Sequence, residues 1–133
     1  MPVIGDDIIL IQVYRPCIDE IVWEIPRGFI DANEISAESA TRELEEELNI
    51  KINALELKSL GFFMPEAGII KARVQLFYAD LISNNNIKLS EEAGHIKLKT
   101  FSIKKVKDMI GKSTIQDPST IVAVYRAELD GYI

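Results

Sequence analysis

Apolar and polar residues follow two different spacings along the chain, and the first two apolar segments predict strands. The run "DIILIQVYRP", residues 7–16, stays largely apolar until Pro16 ends it, which is typical of a buried strand. The run "DEIVWEIP", residues 19–26, predicts a shorter strand that also ends at a proline. Both segments are expected in the core sheet.

A helix is predicted directly after them, over residues 36–48. Its apolar positions recur at helical spacing and are Ala37, Ala40, Leu44 and Leu48. Ser36 is expected to cap the helix at its start. Asn49 stands where helices commonly end in the left-handed conformation, which asparagine tolerates second only to glycine.

The second half of the chain continues the mixture of strands and helices. Strand-like patterns are "ALELKSLGFF" (residues 54–63), "ARVQLFYADLI" (72–82) and "HIKLKTF" (95–101), with the turn-forming Asn84-Asn85-Asn86 after the second. "SIKKVKDMIGK" predicts a short helix capped by Ser102 and closed at Gly111. A last helix has Asp117 as cap and Pro118 at its first position, and continues to about Asp130. This interleaving predicts an α/β protein with a mixed sheet in a sandwich of helices.

Composition and charge narrow the class of protein. The 133 residues, 47% hydrophobic and 27% charged, fit a single globular domain, residues 1–133. The formal net charge of −6 argues against broad electrostatic binding to nucleic acid. An acidic protein that acts on an anionic substrate needs a local positive charge, and a bound metal ion would supply it.

Localisation is predicted from the absence of export and membrane signals and from the single cysteine. No apolar run approaches the roughly 18 to 20 residues that span a bilayer. The start "MPVIGDDIILIQVYRP" has no basic region before its short apolar run, so no signal peptide is expected. Cys17 alone excludes an internal disulfide and fits a reducing cytoplasm. We therefore expect a cytoplasmic protein that does not contact membranes.

The predicted helix carries an unusual density of glutamates, four of the five residues from Glu43 to Glu47. At about 100° per residue, Glu43, Glu46 and Glu47 fall within an arc of roughly 100° beside the apolar face. Such neighbours repel one another, but together they suit a hard divalent cation, which prefers oxygen ligands. On charge alone, a solvated acidic face is the commoner explanation of such a pattern. Glu45 points elsewhere.

Three residues near this cluster favour the metal site over a solvated face. Gly28 is expected to adopt backbone angles closed to other residues and so to permit a tight loop before the helix. Arg42 lies directly beside the carboxylates and eight residues after Glu34. Its guanidinium could orient the carboxylates and relieve their repulsion.

The segment resembles the Nudix box, G-x5-E-x7-R-E-U-x-E-E-x-G-U, in which U is a bulky apolar residue. The matching positions are Gly28, Glu34, Arg42, Glu43, Leu44, Glu46, Glu47 and Ile50. The single departure is Asn49, where the pattern has glycine. Because asparagine also suits a left-handed helix end, the geometry is expected to survive. The resemblance implies a Nudix-type α/β/α sandwich.

The resemblance also implies a reaction and a metal site. The reaction is hydrolysis of the diphosphate linkage in a nucleoside diphosphate derivative by metal-activated water, with Mg²⁺ or Mn²⁺ as cofactor. By resemblance, the metal ligands are Glu43, Glu46 and Glu47, with the backbone carbonyl of Arg27 or Gly28 as a further ligand. Arg42 and Glu46 belong to the catalytic set, and Arg42 orients the cluster. Glu34 is expected to be structural.

The flanking segments resemble the branch of ADP-ribose pyrophosphatases and related nucleotide-sugar hydrolases. The resemblance rests on "LIQVYRP", "WEIPRGFIDANE", Pro65 and the ending "GKSTIQDPSTIVAVYRA". It implies that Arg15, Arg27 and Gly28 bind substrate, with Arg15 near the diphosphate. A surface charge at a strand end is the alternative for Arg15. Members of the branch usually carry a further N-terminal strand region, where this chain has only Met1 to Gly5.

The proton acceptor is expected on a loop far from the box. Glu92 is the first choice and Glu91 the second, and a solvated acidic loop is the alternative for both. His95 is expected to be a surface or packing residue. Trp23 and Phe29 are expected in the core rather than stacked on a base, and Cys17 is given no role.

Two other functions remain open from the sequence. One is hydrolysis of a nucleoside triphosphate to the monophosphate and pyrophosphate. The other is a nucleotide-sensing module that binds without turnover, against which the intact carboxylate set argues. In each case the partner is a small-molecule nucleotide, and a homodimer is possible.

Overall fold

A mixed β-sheet with helices on both faces forms the molecule. The computed structural model describes residues 1–82, 87–91 and 94–133. Within these ranges the strands are β1 (Pro2–Ile4), β2 (Asp7–Arg15), β3 (Glu20–Glu24), β4 (Lys58–Phe63), β5 (Val74–Asp80) and β6 (His95–Ser102). The helices are α1 (Ser36–Leu48), α2 (Ile103–Gly111) and α3 (Pro118–Leu129), with a 3₁₀ turn at Ala54–Glu56.

The central strand is β2, which pairs with three of the other described strands. It runs antiparallel to β1, β3 and β6, while β1 runs parallel to β5, and β5 pairs antiparallel with β4. The sheet is therefore mixed, as the sequence predicts. The apolar run of residues 7–16 becomes this strand because a strand in the middle of a sheet is covered on both faces.

Alternate residues of β2 enter two separate cores. Ile8 and Leu10 pack with side chains of α2 and α3, including Val106 and Val124. Ile9, Ile11 and Val13 pack with Leu44 and Leu48 of α1. Helices thus cover both faces of the sheet, which is the α/β/α sandwich that the sequence predicts. This packing fixes the acidic helix against the strand that ends at Arg15.

Helix α1 has the predicted bounds and the predicted end. Asn49 adopts the left-handed conformation with φ 56° and ψ 31°. Its N–H donates to the carbonyl of Glu45, and the Ile50 N–H donates to the carbonyl of Leu44. The start differs from the prediction, because Ile35 is the capping residue and its side chain makes no capping hydrogen bond. Ser36 is instead the first helical residue, since the chain enters from a turn in which the Glu34 N–H donates to the Asp31 carbonyl.

The structure differs from the predicted strands at two other places. The segment predicted as a strand over 54–63 begins with the 3₁₀ turn, and only Lys58–Phe63 pairs in the sheet. Asn53 and Glu56 form a reciprocal capping box around that turn, which outweighs the alternating pattern of "ALELK". β1 was not predicted, because three residues carry too short a pattern.

The remaining helices follow the prediction closely. Ser102 accepts a hydrogen bond from the Lys105 N–H and caps α2, and Asp117 accepts one from the Thr120 N–H and caps α3. Helices of the described part of the chain are too short or too polar to cross a bilayer. The predicted turn at Asn84-Asn85-Asn86 and the predicted base Glu92 lie outside the described residues.

Candidate active site

A cleft of about 550 Å³ opens between the acidic helix, the loop before it and the end of β2. Its described lining contains seven residues that the sequence predicts for the site, Arg15, Arg27, Gly28, Arg42, Glu43, Glu46 and Glu47. These seven residues, which are up to 32 positions apart in the sequence, are thus brought to one cavity. Glu91, by contrast, is exposed and is not part of the described lining.

Arg42 links three carboxylates of the Nudix-like motif. Its Nη1 donates to Glu43 and to Glu46, each at 2.9 Å, and its Nε donates to Glu34 at 3.0 Å. Hydrogen bonding to Glu34 raises the pKa of Arg42 above its ordinary value, although burial acts in the opposite sense. The same contact lowers the pKa of Glu34. Arg42 is therefore the organising cation that the sequence predicts, and Glu34 has the contacts of a structural residue.

The loop before α1 is tied to the helix through its backbone. The carbonyl of Phe29 accepts from Arg42 Nη2 at 2.9 Å and from Ser39 Oγ at 3.2 Å. The ring of Phe29 is 91% exposed and lies at the cleft. The expectation that Phe29 packs in the core is therefore wrong, because these backbone contacts hold residue 29 outside the core.

Gly28 is needed for a reason other than the predicted one. It does not adopt a positive φ, so its backbone angles are open to other residues. A β-carbon at residue 28 would instead overlap the carboxylate of Glu43. The absent side chain leaves the space that the Glu43 carboxylate occupies at the floor of the cleft.

Glu47 lies deeper than the other glutamates and contacts a histidine. It is 5% exposed, and its Oε1 is 3.3 Å from Nε2 of His95. Nδ1 of His95 is 2.9 Å from Ser90 Oγ, and the Ser90 N–H donates to the Glu47 carbonyl at 2.8 Å. The His95 side chain is 6% exposed, so it is packed and does not lie on the surface. A register shift between Gln12 and Val13 places the start of β6 beside the cleft.

Two arginines that line the cleft share one buried carboxylate, which lies behind them and is not part of the described lining. Glu24, at the end of β3, is 1% exposed and accepts from Arg15 Nε and Nη2, both at 2.6 Å, and from Arg27 Nε at 2.7 Å. Burial alone would raise the pKa of Glu24, but the hydrogen bonds from Arg15 and Arg27 leave it below its ordinary value. The hydrogen bond to Glu24 raises the pKa of Arg15. Arg15 is thus held at the site and is not a freely solvated surface charge.

The family follows from a comparison with known sequences. A model of the NUDIX domain matches residues 1–124. The chain belongs to the Nudix family. It is 26% identical, over 123 residues, to a methanol dehydrogenase activator of Bacillus methanolicus, in a match that covers 92% of this chain and 65% of that protein. The chain therefore spans less than two thirds of the length of that relative.

Solved structures support the Nudix fold. An ADP compounds hydrolase superposes with a TM-score of 0.77 at 18% identity, over 99% of this chain and 72% of the other. A binary complex of an Ap4A hydrolase from C. elegans superposes with a TM-score of 0.65 at 22% identity, over 98% of this chain and 96% of the other. At these identities the likeness shows the fold.

Nudix enzymes generally use divalent metals, and the donor set of this cleft fits one. Glu43, Glu46 and Glu47 offer carboxylate oxygens, which Mg²⁺ and Mn²⁺ prefer. Because Glu43 and Glu46 both bind Nη1 of Arg42 at 2.9 Å, their bonded oxygens are at most twice that distance apart. The described residues contain no ready group of three metal-ligating side chains.

Sequence reasoning missed the contacts of two residues with the Nudix cleft, Glu24, which bonds to two lining arginines, and His95, which lines the cleft itself. Glu24 is a charge within an otherwise apolar run, "IVWEIP", which is the signal that could have indicated a buried ion pair. His95 carries no comparable signal, because its neighbour Glu47 is distant in sequence. Trp23, by contrast, packs as predicted, edge-on against Phe101 with ring centroids 5.0 Å apart.

Proposed function

We propose that the protein is a divalent-metal-dependent hydrolase of the diphosphate linkage in a nucleoside diphosphate derivative, and that ADP-ribose or a related nucleotide sugar is the substrate. The observation that carries the proposal is a cleft in which three carboxylates of the Nudix box and Arg42 meet the guanidiniums of Arg15 and Arg27. Hydrolysis of a diphosphate in this way uses both kinds of group. Cations bind its oxygens, and carboxylates hold the metal that the family uses.

Each residue has a distinct part in this reaction. When bound, the metal would polarise a phosphoryl oxygen and lower the pKa of a coordinated water. Glu43, Glu46 and Glu47 would hold it, with the backbone carbonyl of Arg27 or Gly28 as a further ligand. Arg42 sets the orientation of Glu43 and Glu46 through its two 2.9 Å hydrogen bonds.

The guanidiniums of Arg15 and Arg27 would bind the diphosphate. Both side chains line the cleft and are about two fifths exposed, at 39% and 43%. Guanidinium binds phosphate oxygens in a fixed, bidentate geometry. The water oxygen would then form a bond to phosphorus while its proton passes to a general base, and the bond from that phosphorus to the bridging oxygen would break. The products are two monophosphates, one of them the nucleoside monophosphate.

The structural neighbours are consistent with this substrate class. They are hydrolases of ADP compounds and of Ap4A. The nucleotide-sugar assignment rests in addition on the resemblance of the segments around Arg15 and Pro65. Phe29, exposed at the cleft, offers an aromatic face that a nucleobase could cover.

A substrate panel tests the proposal. Purified protein is assayed with ADP-ribose, nucleotide sugars and nucleoside triphosphates, with Mg²⁺, with Mn²⁺ and with EDTA, and products are separated by chromatography. Cleavage of ADP-ribose to AMP and a sugar phosphate, abolished by EDTA, is the expected result. Release of pyrophosphate from a triphosphate would assign the protein to triphosphate hydrolysis. Tight binding of ADP-ribose without cleavage of any substrate would indicate a sensing module.

The proposal also covers the oligomeric state of the protein and its location in the cell. We infer a cytoplasmic protein with the exposed Cys17 kept reduced, and a homodimer is the assembly to test against a monomer. Light scattering during size-exclusion chromatography would distinguish a dimer from a 15.0 kDa monomer.

A further inference from the structure

Glu24 is an unusual residue to bury, and each of its carboxylate oxygens is engaged. Oε1 accepts from Arg15 Nε, while Oε2 accepts from Arg15 Nη2 and from Arg27 Nε, at distances of 2.6 to 2.7 Å. Charge-assisted hydrogen bonds of this length are the strong ones in proteins. One carboxylate therefore fixes the positions of two guanidiniums relative to each other.

Arg15 bonds to Glu24 rather than to the carboxylate that lies directly opposite it in the sheet. The residue directly opposite Arg15 in the β2–β3 ladder is Glu20, which is exposed. An ion pair across the ladder would be the simplest partner for a surface arginine. The guanidinium instead bonds to Glu24, whose own ladder partner is Ile11, and this places it on the cleft.

The position of Glu24 is itself fixed by the start of α3. The N–H of Ile25 donates to Thr120 Oγ1 at 2.9 Å, and Thr120 donates to Asp117, the cap of α3, through both its N–H and its hydroxyl. Asp117 Oδ1 is also 3.4 Å from Arg27 Nη2. The strand end, the helix start and both arginines thus form one hydrogen-bonded unit.

Each arginine retains donors for a ligand. A guanidinium has five N–H donors, and in the contacts among the described residues Arg15 and Arg27 use at most two each. The remaining donors belong to side chains that line the cleft and are partly exposed. A stabilising role alone would not require this arrangement, because apolar residues often replace buried ion pairs without loss of stability.

We infer that Glu24 is a positioning residue, which holds Arg15 and Arg27 as a paired site for the phosphate oxygens of the substrate. The inference rests on the proposed function for the identity of the ligand, a diphosphate. Glu24 acts through the two arginines and does not contact substrate, since both its oxygens are occupied by guanidinium donors.

The test measures anion binding in the absence of metal and turnover. Inorganic pyrophosphate is titrated in EDTA buffer by calorimetry into the wild type, Glu24→Gln and the control Glu20→Gln, which removes a charge from the same strand. Glu24→Gln is expected to weaken binding about tenfold or more, the scale of one charge-assisted hydrogen bond. Glu20→Gln is expected to change it less than about twofold, as is usual for an exposed charge.

A double-mutant cycle separates positioning from general destabilisation. In an Arg15→Gln/Arg27→Gln background, Glu24→Gln should change pyrophosphate affinity less than about twofold, because the groups through which it acts are gone. An equal loss in both backgrounds would overturn the inference, as would wild-type affinity in folded Glu24→Gln. Glu24→Asp, which keeps the charge but shortens the reach, should give an intermediate affinity.

The wild-type protein offers a readout that needs no variant. The Nε–H groups of Arg15 and Arg27 donate to Glu24 and should exchange slowly with water in ¹⁵N NMR spectra. Pyrophosphate should shift both resonances together, and shifts in neither would overturn the inference. These measurements do not depend on hydrolysis. A lack of cleavage in the substrate panel would therefore count against the proposed function, and a lack of pyrophosphate binding would count against the role of Glu24.

Discussion

Gly28 lies so close to Glu43 that a β-carbon on residue 28 would overlap the Glu43 carboxylate. The overlap is with the far end of a flexible side chain, so Glu43 would move while the backbone stays. The glycine of the box therefore serves the position of the Glu43 carboxylate, an expected metal ligand, more than the conformation of the loop. This relationship leads to the first prediction.

Gly28→Ala is expected to keep the fold and to lose most of its turnover. The displaced Glu43 carboxylate would leave the set of metal ligands, so the Mg²⁺ concentration for half-maximal activity should rise. Activity as a function of Mg²⁺ and thermal unfolding in EDTA measure the two effects. Gly111→Ala is the matched control, because a β-carbon there meets nothing within 4 Å. Equal Mg²⁺ dependence of Gly28→Ala and wild type would contradict the prediction.

Glu46→Gln and Glu47→Gln are each expected to remove most turnover while the fold remains intact. Both residues are expected metal ligands, and an amide oxygen carries no charge for the cation. Glu45→Gln is the control on the same helix, because Glu45 pairs with Lys51 at 2.9 Å on the exposed surface. Turnover at saturating Mg²⁺ is the measurement, and near wild-type rates in both variants would exclude the metal assignment.

Stability in EDTA should distinguish these two variants from each other. Glu46 is about half exposed and bonds to Arg42, whereas Glu47 is buried beside His95. Relief of repulsion between carboxylates favours both substitutions by a few tenths of a kcal/mol. We expect unfolding temperatures of Glu46→Gln close to the wild type and a larger change, of either sign, for Glu47→Gln.

The helix end gives a prediction that does not involve catalysis. Asn49 has φ 56°, so Asn49→Gly should be neutral or slightly stabilising. A β-branched residue in this conformation is strained, and Asn49→Val should cost about 1–2 kcal/mol. Thermal unfolding of both variants checks this, and equal melting temperatures would show that the conformation does not matter to stability.

Local sequence signals predicted much of the fold and the site. The bounds of α1, its left-handed end at Asn49 and the caps Ser102 and Asp117 follow from contacts within a few residues. The carboxylate face also follows from helical spacing alone. Such features are predictable because the interacting groups are neighbours in the sequence.

Contacts between distant segments were not predictable in the same way. The Glu47–His95 contact joins α1 to β6, and the Ile25–Thr120 hydrogen bond joins residues 95 positions apart. The direction of the Phe29 ring depends on hydrogen bonds from Ser39 and Arg42 to its carbonyl. Each depends on how the sheet and helices pack together, which no local pattern specifies.

Glu24 should also contribute to the dependence of stability on pH. Its pKa in the folded protein is below the ordinary value, so its contribution is present above about pH 4.3, the ordinary glutamate pKa. The contribution is lost as the pH falls through the lower folded value. The melting temperature of Glu24→Gln should therefore lie below that of the wild type at pH 7, and the difference should shrink as the pH falls below about 4. A difference that is constant from pH 7 to pH 3 would contradict this.

The last prediction concerns the proton acceptor. Glu43, Glu46 and Glu47 are expected to be committed to the cation, so a free base must come from elsewhere in the chain. Described residues on either side of Glu92 in the sequence make backbone hydrogen bonds to residues that line the cleft. The Ser90 N–H donates to the Glu47 carbonyl, and the Gly94 carbonyl accepts from the Tyr14 N–H, both at 2.8 Å. These two anchors support Glu92 over more distant carboxylates.

Glu92→Gln is expected to lower kcat by roughly 10² to 10⁴, the usual range for loss of a general base. Mg²⁺ dependence should stay near normal, because the metal ligands are untouched. Glu91→Gln, at a neighbouring exposed position, is the matched control and should change kcat much less. Steady-state kinetics at saturating Mg²⁺ measure both. If Glu92→Gln keeps the wild-type kcat, the base is Glu91 or a glutamate of the box. The double variant Glu91→Gln/Glu92→Gln then decides, because only a base within the box would leave its kcat unchanged.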